Sequence, residues 1–407
     1  MGNEGDKDSI FYRIAPGILV AATGVGAGDL INASLAGSEL GLVILWAAWL
    51  GAILKWLLNE GIARWQLASG TTLMEGWREK IGAPVCYLFL VYLMLWTVFV
   101  GGTIMKACGV AGQALVGSGT VFTWGVVHSI VGIVLVWLGG FHFFEKLMSV
   151  CIGVMFVTVT VSAFKVGVPL DLHLLKGLVM PKVPQGGLSW TLGVMGGVGG
   201  TVTLLSYGYW IAEQNRKGKR GLRACWLDLG IGYAMTAVFG MAMLVIGSQL
   251  KLTGKGSGVA LSIAKLIGEN VAPLVGSLFL VGFWAAVFSS LLGVWQGVPY
   301  LFADFRQTMA GRRMDAEELE KSRDYKAYLL FLGLAPIAIQ NLSLSSIAKI
   351  YAVLGSLFMP FLALTLLYLN GRCLEEDSEL RNPWWVNLGL VATLLFFAYQ
   401  GLRPVIS

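Results

Sequence analysis

The chain has 407 residues, 56% of them hydrophobic and only 13% charged, against about 25% charged in an average soluble domain. A water-soluble fold could not cover that much apolar surface, which excludes a soluble enzyme. The net charge of +6 sits in short Lys and Arg clusters between apolar runs, a pattern that fits membrane anchoring and not a nucleic-acid surface.

A helical membrane span needs about 20 mostly apolar residues. Eleven stretches qualify: 14–37, 42–67, 84–107, 119–139, 146–167, 188–210, 226–249, 271–300, 326–342, 345–370 and 384–401. The expected fold is therefore an all-α membrane protein of about 11 transmembrane helices, one domain over 1–407 with the lipid bilayer as its partner. The polar start MGNEGDKDSIFYRIAPG has no basic n-region or cleavage site, so no cleaved signal peptide is expected.

Orientation follows from loop charge. Arg78 and Lys80 follow span 2; Arg216, Lys217, Lys219, Arg220 and Arg223 follow span 6; Arg306, Arg312, Arg313 and Arg323 follow span 8. This places the N-terminus in the cytoplasm and the C-terminus outside, in a multi-pass protein of the plasma or inner membrane. The run DAEELEKSRDYK at 315–326 reads as a solvated helix leading into span 9.

Glycine interrupts spans 1 and 6, in ATGVGAGDL at 22–30 and GVMGGVGGTVTLLSYG at 193–208, and that density disfavours continuous helix. Two broken spans five helices apart suggest inverted repeats, the first about 14–167 and the second about 188–370, with an extra helix at about 384–401. In such folds the substrate binds at the midplane, where unwound backbone offers carbonyls and half-helix dipoles.

The five cysteines, Cys86, Cys108, Cys151, Cys225 and Cys373, form no C-x-x-C pair and read as packing residues, neither disulfides nor a zinc site. No G-x-x-x-x-G-K-[ST] or H-E-x-x-H motif occurs. No ATP, no cofactor and no enzymatic activity are expected.

Four segments give the chain a family resemblance: APGILVAATGVGAGDLINASLAGSELG at 15–41, ILWAAWLGAILKWLLNEGIARWQLASGTTLMEGWRE at 44–79, LLKGLVMPKVPQGGLSWTLGVMGGVGGTV at 174–202 and FSSLLGVWQGVPYLFADF at 288–305. Together they resemble the Nramp family of divalent metal-ion transporters. The resemblance implies a LeuT-type fold, a 5+5 inverted repeat with helices 1 and 6 broken, and transport by alternating access. It also implies a rebuilt site. Where the family carries Asp-Pro-Gly-Asn, this chain has Gly26, Ala27, Gly28 and Asp29; where it carries Met-Pro-His, this chain has Leu204, Leu205 and Ser206. A family glutamine of span 10 maps to Ala352, and the acids of the family's proton route map to Thr103 and Lys106. Losing the Met sulfur removes the chemical basis for selecting softer transition metals.

Asp29 is the one acid between Arg13 and Glu39; it is the candidate metal ligand or substrate counter-charge, and the plainer alternative is a helix cap. Carbonyls near Thr23, Gly24, Gly26, Gly199, Gly200 and Thr201, with the hydroxyls of Thr203 and Ser206, complete the candidate substrate site. Such oxygens suit a hard cation of the Mg²⁺, Mn²⁺ or Ca²⁺ type, or an organic amine or amino acid on the same fold. Lys55 and Glu60 in span 2 are coupling charges or side chains snorkelling to the surface. Lys106 is either a fixed internal cation or a lysine at the membrane edge. His128 reads as hydrogen-bonded core, and His142 with Glu145 as structural. Ser289, Ser290, Gln296, Gln340 and Asn341 line a path or join helices, joining being the default.

Overall fold

The computed structural model describes residues 10–167, 172–197, 199–250, 258–375 and 378–406; within these, the side chains at 10–13, 27–29, 172–175, 258, 345, 348, 349, 352, 356 and 401–406 lie outside the description. In chain order the helices are α1 (Ile10–Gly24), α2 (Ala27–Leu40), α3 (Leu45–Ser69), α4 (Leu73–Lys80), α5 (Ala83–Val116), α6 (Val121–Gly167), α7 (Leu172–Val179) and α8 (Leu188–Gly197). They continue as α9 (Ser206–Glu213), α10 (Gly218–Gln249), α11 (Gly258–Asn270), α12 (Pro273–Met309), α13 (Ala316–Lys321), α14 (Arg323–Leu334), α15 (Leu344–Tyr368) and α16 (Trp384–Ile406). Among the described residues there is no strand.

Among the described residues, seven stretches are long and apolar enough to cross a bilayer, and two shorter apolar helices lie at Ile14–Gly24 and Trp384–Gln400. The expected spans fall on them in order, except span 9 (326–342), which is the shorter α14 and the 3-10 turn Ala335–Ile339 after it. Span 1 is α1 with α2, span 6 is α8 with α9, and spans 4 and 5 share the 47-residue α6. A straight helix of that length would run about 70 Å, more than twice the hydrocarbon core. The chain bends instead at Gly140, whose φ of 63° is left-handed. The charged run at 315–326 is two helices, not one: Asp315 caps α13 in a reciprocal box with Glu318, and Ser322 caps α14.

Helix α10 packs against α1, α2 and α3, while α12 packs against α5, α6, α14 and α1. The α1–α10 crossing is backbone on backbone: a Cβ at Gly17 would lie 1.9 Å from the Asp228 carbonyl oxygen. In lipid the helices gain little from hydrophobicity between them, so small residues that allow such approach take over that role.

Both broken helices arise where their glycines cluster. Helix α1 ends at Gly24 and α2 resumes at Ala27. Past the end of α8, Gly199 and Gly200 have φ of 75° and 57°, conformations open to glycine at no steric cost, before a 3-10 turn at Val202–Leu205 leads into α9.

At the end of the bundle with the basic loops, Glu320 of α13 is half-buried. Burial first, and the neighbouring Glu213 carboxylate second, push its carboxyl up to about 7 from an ordinary 4.5. A raised carboxyl binds its proton more tightly in the folded state. Its contribution to stability is therefore full below the unfolded value and lost as pH rises through about 7. Amide exchange in 315–321, corrected for intrinsic rate, is expected to be faster at about pH 8 than at about pH 6, and Glu320→Gln to remove the difference. Equal protection of the wild-type segment at both values would contradict this.

Candidate functional site

The two breaks face each other. Gly200 donates its backbone N–H to the Gly24 carbonyl at 3.3 Å, and a Cβ on Gly24 would lie 2.8 Å from Gly199 Cα. Beyond this contact the last carbonyls of α1 turn to α12: Ser289 Oγ lies 3.1 Å from the Ala22 oxygen and Ser290 Oγ 3.0 Å from the Thr23 oxygen.

The second break is held from behind by α3. Lys55 is fully buried, and its ammonium donates to the carbonyls of Gly196 at 2.8 Å and Gly200 at 2.6 Å. One turn on, Asn59 donates to the Leu204 carbonyl at 3.0 Å and accepts from the Tyr233 hydroxyl at 2.6 Å. A buried ammonium is tolerated only when so bonded, and here it replaces the helical N–H groups that the unwound carbonyls have lost. This corrects the snorkelling reading for Lys55. Glu60 does not snorkel either: it is buried, pairs with Arg64 and accepts from Trp226 Nε1 at 3.1 Å.

A cavity of about 50 Å³ opens between the breaks and the facing helices. Of the candidate residues, Thr23, Gly24, Gly26, Gly200 and Thr203 line its polar side. Its far wall went unforeseen: Trp96, Val100 and Ile104 of α5, Val287 and Val294 of α12, and Tyr351 of α15. Thr103 and Ser290 also reach it, so Ser290 both joins helices and lines the cavity.

The remaining candidates divide. Thr201 is not in the wall but accepts from Trp96 Nε1 at 3.0 Å. Ser206 Oγ is buried with no hydrogen-bond partner, away from the cavity, and packs where Gly297 leaves room. The Gly26 carbonyl is taken by Leu30 N–H at 3.2 Å, so the unwound carbonyls are mostly partnered and not vacant as the sequence reading supposed. Asp29 falls in the first turn of α2, while its side chain, like that of Ala352, lies outside the described residues.

Lys106 donates to the carbonyls of Gln340 and Leu342; it closes the end of the turn that follows α14. His128 Nδ1 contacts the Trp124 carbonyl at 2.6 Å and its Nε2 accepts from Trp284 Nε1 at 2.9 Å, a core histidine with both nitrogens used. His142 Nδ1 lies 3.5 Å from Glu145 Oε2. Gln296 accepts from Trp210 Nε1 at 2.8 Å, and Gln340 donates to the Gly102 carbonyl at 3.1 Å. Beyond the cavity, Tyr207 donates to Asp228 at 2.7 Å and Tyr209 to Asp304 at 2.6 Å. These bonds and Trp210–Gln296 fix α9 to α10 and α12.

Residues 17–406 match the family model described as natural resistance-associated macrophage protein-like. The chain belongs to the Nramp family. This is a family of metal-ion transporters, so the protein is a multi-pass membrane transporter and not an enzyme. Among solved structures, a mutant manganese transporter of Eremococcus coleocola is 17% identical, with 99% of this chain and 88% of that one covered and a TM-score of 0.75. MhsT in complex with L-phenylalanine is 16% identical, covering 96% and 97%, with a TM-score of 0.63. Mhp1, a nucleobase-cation-symport-1 family transporter, is 14% identical, covering 97% and 92%, with a TM-score of 0.58. At these identities the likeness shows the shared LeuT-type fold. No individually curated protein matches the chain.

Among the described residues no three His, Cys, Asp or Glu side chains come together to hold a metal ion. Lys55 sets a positive charge on the Gly200 carbonyl instead.

Proposed function

We propose that this Nramp-family protein carries a small cation by alternating access through the cavity between its two breaks, with Asp29 as the charged centre. The observation that carries the reading is the backbone contact of Gly24 with Gly199 and Gly200, which brings two unwound segments and the first turn of α2 to one point. Hard oxygens and a single nearby acid favour a hard divalent ion of the Mg²⁺, Mn²⁺ or Ca²⁺ type over softer metals. The manganese named for the Eremococcus coleocola structure makes Mn²⁺ the first ion to test.

Two observations favour a second reading, an organic amine or amino acid. The far wall is apolar and aromatic, and the Lys55 ammonium reduces the attraction a divalent ion meets. Isothermal titration with Mn²⁺ and Mg²⁺ against a panel of amines and amino acids separates the two.

Asp29→Asn is expected to lower proteoliposome uptake of the bound substrate by at least about tenfold with little change in thermal stability. It removes the charge that attracts the cation, whereas a capping role survives Asp→Asn almost unchanged. Wild-type uptake by the Asn variant would sink Asp29 as the charged centre.

A further inference from the structure

Helix α10 carries an exposed stripe that changes character along its length. Arg220, Arg223, Leu227, Gly230 and Ala234 are all exposed. They follow one another at steps of three and four residues, which puts them on one face of the helix. The first two are cations and the last three are apolar. The change falls beside an aromatic pair: the rings of Trp226 and of Trp385, on α16, lie 6.4 Å apart, and both residues are more than a third exposed. Trp226 turns its polar edge inward, donating from Nε1 to Glu60 at 3.1 Å, and leaves its ring at the surface.

Charge pairing sets the two arginines apart. At this end of the bundle Arg216 pairs with Asp228, Lys219 with Glu379, Arg306 with Asp324, and Arg313 with Glu75 and Glu79. Among the described residues no carboxylate pairs with Arg220 or Arg223. Two like charges one helical turn apart repel each other, and an anion between them relieves the repulsion. The planar fork of a guanidinium matches phosphate oxygens in particular. A soluble anion or an acidic protein segment would leave the apolar part of the stripe bare. Residues 223–234 rise about 16 Å along the helix, close to half of the ~30 Å hydrocarbon core, and tryptophans gather where headgroups meet that core. At Gly230 a Cβ would meet nothing within 4 Å, so the surface there is open to an acyl chain.

We propose that this stripe, flanked by Trp226 and Trp385, binds an anionic phospholipid, with its phosphate on Arg220 and Arg223 and its tails along Leu227, Gly230 and Ala234. A zwitterionic lipid brings the same phosphate together with an ammonium that the second arginine repels, so a headgroup of net negative charge is preferred. The lipid bridges α10 and α16. It thereby steadies the helix that holds the second break: Asp228 accepts from Tyr207 of α9, and Tyr233 donates to Asn59, which in turn bonds the Leu204 carbonyl.

The surface is remote in sequence from Asp29 and is tested without any transported substrate. Purified full-length protein in neutral detergent is titrated with phosphatidylglycerol or with phosphatidylcholine, and native mass spectrometry counts the lipids bound. The expected result is one phosphatidylglycerol held at least about tenfold more tightly than phosphatidylcholine. That preference is expected to fall about fivefold in Arg220→Gln and in Arg223→Gln, the scale of one basic side chain at an anionic lipid surface, and to vanish in the double variant. Both side chains are exposed, so the variants are expected to melt like wild type in detergent without lipid. Arg312→Gln, at an exposed arginine in the loop after α12, is expected to keep the full preference. Equal binding of the two lipids to the wild type, an undiminished preference in the double variant, or the same loss in Arg312→Gln would overturn the proposal. Displacement of the lipid by inorganic phosphate at millimolar concentration would assign the arginines to a free anion and overturn it as well.

Discussion

Lys55→Met is expected to reduce transport by about a hundredfold or more, the scale on which displacing a site by ~1 Å acts. Methionine keeps the unbranched shape but removes the donor that the Gly196 and Gly200 carbonyls share. Each carbonyl left unpaired costs about 1–3 kcal/mol, while the variant no longer bears the desolvation of a buried ammonium. The net loss of stability should therefore be small beside the loss of function. What cannot be recovered is the position of the break, because no neighbouring side chain replaces both bonds in one geometry. The measurement is uptake and thermal melting on the same monodisperse preparation. A Lys55→Met protein that transports like wild type would show that the ammonium does not hold the break in its working shape.

Hydropathy made the spans legible, because bilayer thickness demands about 20 apolar residues whatever their packing. The glycine runs made the breaks legible, since Gly24, Gly199 and Gly200 lie where continuous helix fails. The setting of Lys55 was not legible. Its depth along span 2 could be read, but its partners lie 141 and 145 residues away, and only the fold shows that it faces them and not the surface. The far wall was hidden for another reason: lipid and protein interior are equally apolar, so Val100, Val287 and Val294 look like any membrane-facing residues. Ser290 carries a signal too weak to choose between helix joining and site lining, and it does both.

Gly24→Ala is expected to reduce transport about as severely while leaving most of the fold intact. The added Cβ would stand 2.8 Å from Gly199 Cα, 2.9 Å from Gly199 C and 2.9 Å from Gly200 N. All three are backbone atoms, so no change of rotamer relieves the contact. Gly199 and Gly200 already occupy left-handed conformations and have little freedom to retreat. The two breaks must therefore part, and the Gly200 N–H to Gly24 bond, at 3.3 Å already long, is the first to go. Because Gly200 also binds Lys55 and lines the cavity, its displacement reaches every part of the proposed site. Overpacking of this kind costs about 1–3 kcal/mol, which a large helical bundle survives. Gly17→Ala marks the contrasting case: its Cβ would meet the Asp228 oxygen at 1.9 Å, in the α1–α10 crossing itself, and that protein is expected not to fold. At Gly193 a Cβ meets nothing within 4 Å, so Gly193→Ala should melt and transport like wild type. Uptake and melting of the three variants together decide the matter: if Gly24→Ala tracks Gly193→Ala in both, the contact of the two breaks is not where transport depends on the fold.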